Sequence, residues 1–456
     1  MRTKAGGKAL QAGNRVVAVA FLFLIGSLNA PVSYLLYRVK NAVEPPQSTE
    51  NILFGDDKIK VENVAKAEEV KEKNIPRQKT MRHEIMRIMG KLKRSEIDTA
   101  VKKNQLAHSQ CIEIHGLLQR LMGKRILWDA DPDLTQYKTI TGQLLWRREI
   151  PRDTIEDRAE FLMELQDYLK SKKINFLYVQ VPGKCKPGHD EILPGITDPF
   201  NRQQDHFLRS LRERNVPFLD LREEMLKDGM DWEKAFYKTD LHWTMETALW
   251  AWGKTASFIA GNISSFRLKE NIPDKNYKMV DLGNFLGCIG RRIGYLYSGE
   301  DPFRYPVPDF PLRLTNSIVT MSDGRPQKGI PNKRDTFEKI TPIPEELKSL
   351  YSLYDWINPN VAYRNTINEF GSGNILLLHD SFGTPFSRYA SLHARRTAEL
   401  DLRNFTKFSL VDFLKENQFD IVIMISANIG NGSLYCVPHY MKDSPFRQEI
   451  AVRAAK

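Results

Sequence analysis

The chain has 456 residues, with 67 Lys and Arg against 56 Asp and Glu, for a formal net charge of +11. Apolar residues at 41% and charged residues at 27% exclude a fibre or a wholly disordered polymer and leave room for one large globular domain with attached segments. Part of the positive charge lies around an apolar N-terminal segment and so bears on membrane topology; no zinc-finger spacing, basic-aromatic patch or RNP-like run supports a nucleic-acid partner.

From Val16 to Leu36 the chain reads VVAVAFLFLIGSLNAPVSYLL, with no charged residue. At a rise of about 1.5 Å per residue, such a helix is long enough to cross a hydrocarbon core. Arg2, Lys4, Lys8 and Arg15 precede it without an acid, which keeps the short end cytoplasmic and exports the rest. Residues 1–37 are therefore expected to be a cytoplasmic tip and single-pass signal anchor, with the main domain extracytoplasmic. The alternative is a cleaved signal peptide, and Pro31 directly after Ala30 argues against cleavage there. Residues 38–105 are charged and poor in aromatics, which suits a helical linker divided at Pro76. Within it Met81, Ile85, Ile88, Met89 and Leu92 share one helical face. Residues 106–456 form the main domain.

Asp153 and Glu156 have the spacing of a capping box, and Phe161, Leu162, Leu165 and Leu169 then mark the buried stripe of a helix ending near Lys173. The run FLYVQV, Phe176 to Val181, predicts a strand stopped by Pro182 and Gly183. A helix through Phe207, Leu208 and Leu211 leads to a second strand, VPFLDL, over Val216–Leu221. Much later come NILLLHDS, Asn374–Ser381, and DIVIMISA, Asp420–Ala427, separated by a helical pattern at Phe408–Phe413. Near-continuous apolar strands alternating with helices predict an α/β domain whose mainly parallel sheet is covered on both faces. Ligands of such sheets sit at the carboxyl ends of the strands, where HDS and SAN both fall.

In YKTDLHWTMETALWAW, Asp240 and His242 stand two residues apart; on extended backbone they project to one side, so the carboxylate can orient the imidazole and stabilise its cation. Ser381 follows a buried strand at a turn, where its hydroxyl and neighbouring backbone amides can serve as nucleophile and part of an oxyanion hole. Asp380 beside it is expected to hold that turn. Asn428 is a second candidate oxyanion donor. Lys184, Trp243 and Arg292 are candidate substrate contacts: a lysine at a strand end, an indole able to stack on a sugar, and an arginine suited to an acidic saccharide. Cys111, Cys185, Cys288 and Cys436 form no CxxC pair, and either up to two disulfides or four buried thiols fit them. A metal site from Asp240, His242, His379 and Asp380 lacks any recognised ligand spacing, so no metal or other cofactor is expected.

The order TDLHW then HDSF resembles the SGNH-hydrolase-like domains of alginate acetyltransferases of the AlgX and AlgJ type and the related DHHW-motif proteins. VPGKCKPGHDEILP, VPFLDL and DLGNFLG add to the likeness, which spans roughly residues 110–456. The resemblance implies a three-layer α/β/α domain and transfer or hydrolysis of acetyl groups on an exported polysaccharide. A transferase would draw its acetyl group from a multi-spanning membrane O-acyltransferase partner. The second reading is a catalytically inactive member that binds glycan or scaffolds an export complex. His379 stands where the family has glycine before Asp-Ser, which predicts an altered nucleophile turn; the DHHW signature is here Asp-Leu-His-Trp.

Overall fold

A computed structural model describes residues 105–129, 131–263, 265, 266, 268, 277–319, 321, 322, 325, 326, 363–401, 410–427, 447 and 448. The apolar segment Val16–Leu36, the linker and its amphipathic face, Asn428 and Cys436 lie outside these residues. Among the described residues no helix is long and apolar enough to cross a membrane.

The described residues divide into two compact units. The smaller joins helix α1, Gln105–Leu121, to Arg292–Tyr297. There the Glu113 carboxylate accepts the amides of Tyr295 and Leu296 at 3.0 Å each, and a side chain at Gly116 would collide with the Ile293 carbonyl. Glycine is thus required at that crossing.

The larger unit opens with a hairpin of β1, Gln136–Lys138, and β2, Leu144–Trp146. Helix α2, Arg152–Ser171, leads to β3, Asn175–Gln180. Then come α3, Phe200–Glu213, β4, Phe218–Asp220, α4, Leu221–Lys227, and α5, Met245–Asn262. A long hairpin follows, β5, Tyr277–Phe285, against β6, Asp301–Pro308. The rest is β7, Leu314–Val319, β8, Tyr363–Asn368, β9, Asn374–His379, α6, Gly383–Ala390, β10, Arg396–Asp401, α7, Leu410–Glu416, and β11, Ile421–Ser426.

Seven of these strands form one sheet in the order β7-β8-β10-β9-β11-β3-β4. The five from β10 to β4 are parallel, and β8 and β7 close one side antiparallel. Alternate residues of each strand point to opposite faces. Leu177, Val179, Ile375, Leu377, Ile421, Ile423 and Ile425 pack with Met225 of α4, Trp252 of α5 and Phe386 of α6. Phe176, Tyr178, Leu376, Leu378, Val422 and Met424 pack on the other side with Leu165 of α2, Leu211 of α3 and Leu414 of α7. The sheet is therefore the middle of three layers, and its apolar strands lack alternation because both faces are covered.

Two local expectations change. Helix α2 starts at Arg152 after Pro151, with no side-chain cap, so Asp153 lies inside the first turn and no capping box forms. Glu156 instead reaches across to α3, where its carboxylate accepts from Ser210 Oγ at 2.7 Å and pairs with Arg214 at 3.0 Å. Strand β10, RTAELD, was not expected, because its polar letters conceal a core position.

Candidate active site

The segment before α5 builds the first half of the site. Phe236 pairs with Trp243 as an antiparallel bridge, Tyr237 N–H donates to the His242 carbonyl, and Thr244 N–H donates to that of Ala235. Lys238 to Leu241 thus form a tip held by a short ladder, and Thr244 caps α5 by accepting the Thr247 amide. Asp240 and His242 meet through a turn and not through extended alternation. Asp240 Oδ1 accepts the His242 backbone amide at 2.9 Å and faces His242 Nδ1 at 2.5 Å. A side chain that bonds the backbone two residues on is the signature of an Asx turn, and this is the physical basis of the two-residue spacing.

Both side chains are buried, Asp240 to 2% exposure. Burial acts to raise the Asp240 carboxyl, but His242 and the amides of Cys288 and His242 outweigh it and hold the group well below the usual carboxylate range. An ionised carboxylate only accepts, so His242 Nδ1 carries the proton and donates it. Nε2 is then left as the acceptor for Ser381 Oγ, 2.7 Å away. These contacts bring together Asp240, His242 and Ser381 in the relation of acid, base and nucleophile.

DLGNFLG, residues 281–287, gains a role that spacing alone did not reveal. A side chain at Gly287 would collide with the Asp240 backbone and Cβ, so only glycine allows the chain to pass close enough for Cys288 N–H to reach Asp240 Oδ2 at 2.6 Å. Asp301 at the start of β6 is a further residue missed by sequence reasoning. Its carboxylate accepts Lys238 N–H at 2.6 Å, Thr239 N–H at 2.7 Å and the Thr239 hydroxyl, and Thr239 Oγ1 in turn accepts Gly287 N–H. The tip is therefore fixed through Lys238 and Thr239 as well as through Asp240. An acid far downstream with no local motif leaves no sequence signal of such a role.

Ser381 lies between β9 and α6 at the carboxyl end of the sheet. Asp380 holds the turn as expected. Its Oδ1 accepts Phe382 N–H at 2.9 Å, and its Oδ2 accepts Ser426 Oγ and Ala427 N–H at 3.0 Å each, tying the turn to the end of β11. The Gly383 amide donates to the Asp380 carbonyl. Two of the amides that follow Ser381 are thus committed to Asp380, and the Ser381 N–H has no partner among the described residues.

The other candidates part ways. Lys184 donates to the carbonyls of Leu144 at 2.6 Å and Lys238 at 3.2 Å, and burial brings its ammonium down to about 8 against the pull of Asp301 and Asp240. It braces the tip through these two backbone carbonyls. Trp243 is 0% exposed and packs edge-on to Phe382, which leaves no face for a sugar ring. Trp252 is likewise enclosed, against Phe386. Arg292 belongs to the smaller unit, where its guanidinium stands 3.6 Å from Asp129. Cys185 and Cys288 are thiols, both pushed up by burial, with neighbouring carboxylates adding to the shift. No group of His, Cys, Asp and Glu among the described residues is arranged to hold a metal ion.

Residues 144–285 match the family model described as SGNH hydrolase-like domain, acetyltransferase AlgX. The match includes Asp240 and His242 and ends before Ser381. Among solved structures the chain is similar to PatB1 of Bacillus cereus, at 18% identity and a TM-score of 0.54, covering 66% of this chain and 99% of that one. It is also similar to a DHHW family protein from Eubacterium siraeum, at 14% identity and a TM-score of 0.47, covering 65% and 91%. The O-acetyltransferase domain of Pseudomonas putida AlgJ aligns at 13% identity and a TM-score of 0.41, covering 70% and 99%. No curated protein matches the chain. The resemblance to AlgX-type SGNH-like domains thus holds, over a stretch that contains TDLHW, and the fold is of the α/β SGNH-like kind with a mainly parallel sheet.

Proposed function

We propose that this chain is an extracytoplasmic, membrane-anchored O-acetyltransferase, or an acetylesterase, acting on a cell-surface or exported polysaccharide through an acyl-serine intermediate. The observation that carries the reading is the unbroken line Asp240 Oδ1, His242 Nδ1, His242 Nε2, Ser381 Oγ, with contacts of 2.5 and 2.7 Å. The match of residues 144–285 to an acetyltransferase-type domain supports the acetyl group as cargo. The uncharged run Val16–Leu36 with its basic flank supports the anchor and the exported side.

In the reaction, His242 Nε2 takes the Ser381 hydroxyl proton as Oγ attacks the carbonyl carbon of an acetyl ester. The tetrahedral oxyanion collapses, the donor's oxygen leaves with the proton from His242, and acetyl-Ser381 remains. A sugar hydroxyl then gives its proton to His242 and attacks the acyl-serine, so Ser381 is released and a new ester forms. Water in place of the sugar gives acetate. Asn428 remains the proposed second oxyanion donor beside the Ser381 amide. A multi-spanning membrane O-acyltransferase is the proposed source of acetyl groups.

The transferase reading is tested with the full chain in detergent, an activated acetyl ester and a panel of oligosaccharides. The expected result is acetylated oligosaccharide, lost in Ser381→Ala and retained with chelator. Acetate alone would assign an esterase. Oligosaccharide binding with neither product would place the chain with inactive glycan binders.

A further inference from the structure

His379 departs from the glycine that the resemblance puts before Asp-Ser, and the structure builds it in. Its imidazole is buried at the end of β9, and a side chain at Gly383 would collide with it, so glycine at the start of α6 makes the room that His379 occupies. Nδ1 lies 2.7 Å from the Asp380 carbonyl oxygen. A carbonyl only accepts, so Nδ1 carries a proton and donates it. Nε2 faces Glu399 Oε2 at 3.8 Å, beyond hydrogen-bond reach, and Glu399 Oε1 lies 2.9 Å from Arg364 Nη1 as a buried ion pair. Glu399 and Arg364 are 2% and 3% exposed and stand opposite each other on β10 and β8. The imidazole is therefore set against a buried, charge-paired wall.

The Asp380 carbonyl and the Ser381 N–H are two ends of one planar peptide group. Two donors converge on the carbonyl, His379 Nδ1–H and Gly383 N–H. Fixing that oxygen fixes the direction of the Ser381 N–H, the amide beside the nucleophile that has no partner among the described residues. Hydrogen bonds accepted by the carbonyl also polarise the amide and strengthen its N–H as a donor.

We infer that His379 is a positioning residue that aims the Ser381 amide at the oxyanion through the Asp380 carbonyl, its ring packed between Gly383 and the Glu399–Arg364 pair. The inference rests on the triad reading above. It accounts for a residue that otherwise reads as a defect in the motif, since the imidazole adds a donor to the nucleophile turn where a glycine would add none.

The test compares His379→Leu, His379→Gln and His379→Asn in the full chain. Asparagine keeps an N–H near the position of Nδ1, glutamine carries its N–H too far out, and leucine has none. Rates on an activated acetyl ester are normalised to active sites titrated with a sulfonyl fluoride. Leucine and glutamine are expected to lower kcat about tenfold to a hundredfold with KM within about twofold, the scale of a small misplacement of a reacting group. Asparagine is expected to recover most of the loss. Amide exchange at Phe382 and Gly383 should quicken about tenfold in the leucine and glutamine variants and not in the asparagine variant. If leucine does not fold, glutamine against asparagine carries the comparison. Undiminished kcat in the glutamine variant, or equal losses in glutamine and asparagine, would overturn the inference. If wild-type protein hydrolyses no ester, the triad reading fails by itself, and the exchange pattern still decides whether His379 holds the turn.

Discussion

Ser381→Ala is expected to lower kcat for acetyl-ester hydrolysis by about 10⁶-fold, and Asp240→Asn by about 10⁴-fold, with the double variant no slower than Ser381→Ala alone. The second loss comes from the tautomer. An asparagine amide at position 240 donates to His242 Nδ1, the ring proton moves to Nε2, and the atom 2.7 Å from Ser381 Oγ no longer accepts. Melting temperature should change little for Ser381→Ala, because Ser381 makes its side-chain bond only to His242 among the described residues. For Asp240→Asn the sign of the pH effect is set by the depressed carboxyl. A group whose folded-state value lies below its unfolded value contributes its full stability above the ordinary carboxylate range and loses it progressively as pH falls from that range through the folded value. The wild type should therefore exceed the asparagine variant in stability at neutral pH, and the difference should shrink in strong acid. Steady-state kinetics near neutral pH, with thermal melts of both proteins carried from neutral pH into strong acid below the ordinary carboxylate range, checks both.

Glu399→Ala is expected to cost about 3–5 kcal/mol of stability, since it leaves the Arg364 guanidinium buried without its carboxylate. Arg364→Met should cost a comparable amount for the converse reason. The pair Arg364→Met with Glu399→Leu should cost far less than the sum, because desolvation of both charges is removed together. Denaturant melts of the three variants decide this, and additive losses would show that the two side chains do not interact. The double variant also separates folding from catalysis, as it is expected to fold while the ring of His379 loses its wall.

Fold and site were legible to different depths. Strands β3, β4, β9 and β11 could be read because each is buried on both faces and so writes an unbroken apolar run. Strand β10 could not, although it lies beside β9 in the sheet. Its Glu399 is charged and buried, balanced by Arg364 on a strand 35 positions earlier in the chain, and no local pattern records a pairing across that separation. The line of contacts from Asp240 through His242 to Ser381 was legible because Asp-x-His and a strand-terminal serine are compact signals. The two-residue spacing rests on an Asx turn, in which Asp240 bonds the His242 amide, and not on extended alternation. Gly287 and Asp301 were opaque because their contribution is a close passage and a set of backbone bonds to Lys238 and Thr239, chemistry that any glycine or acid in a loop could supply. Trp243 illustrates the opposite error. Residue type suggested contact with substrate, while packing placed the indole in the core.

The most direct measurement of the central claim is peptide mass spectrometry of the full chain quenched during turnover of an activated acetyl ester. An acetyl group on the peptide containing Ser381, present in wild type and absent in His242→Ala, is the result the triad predicts. An acetyl group on another residue, or turnover in Ser381→Ala at the wild-type rate, would contradict it.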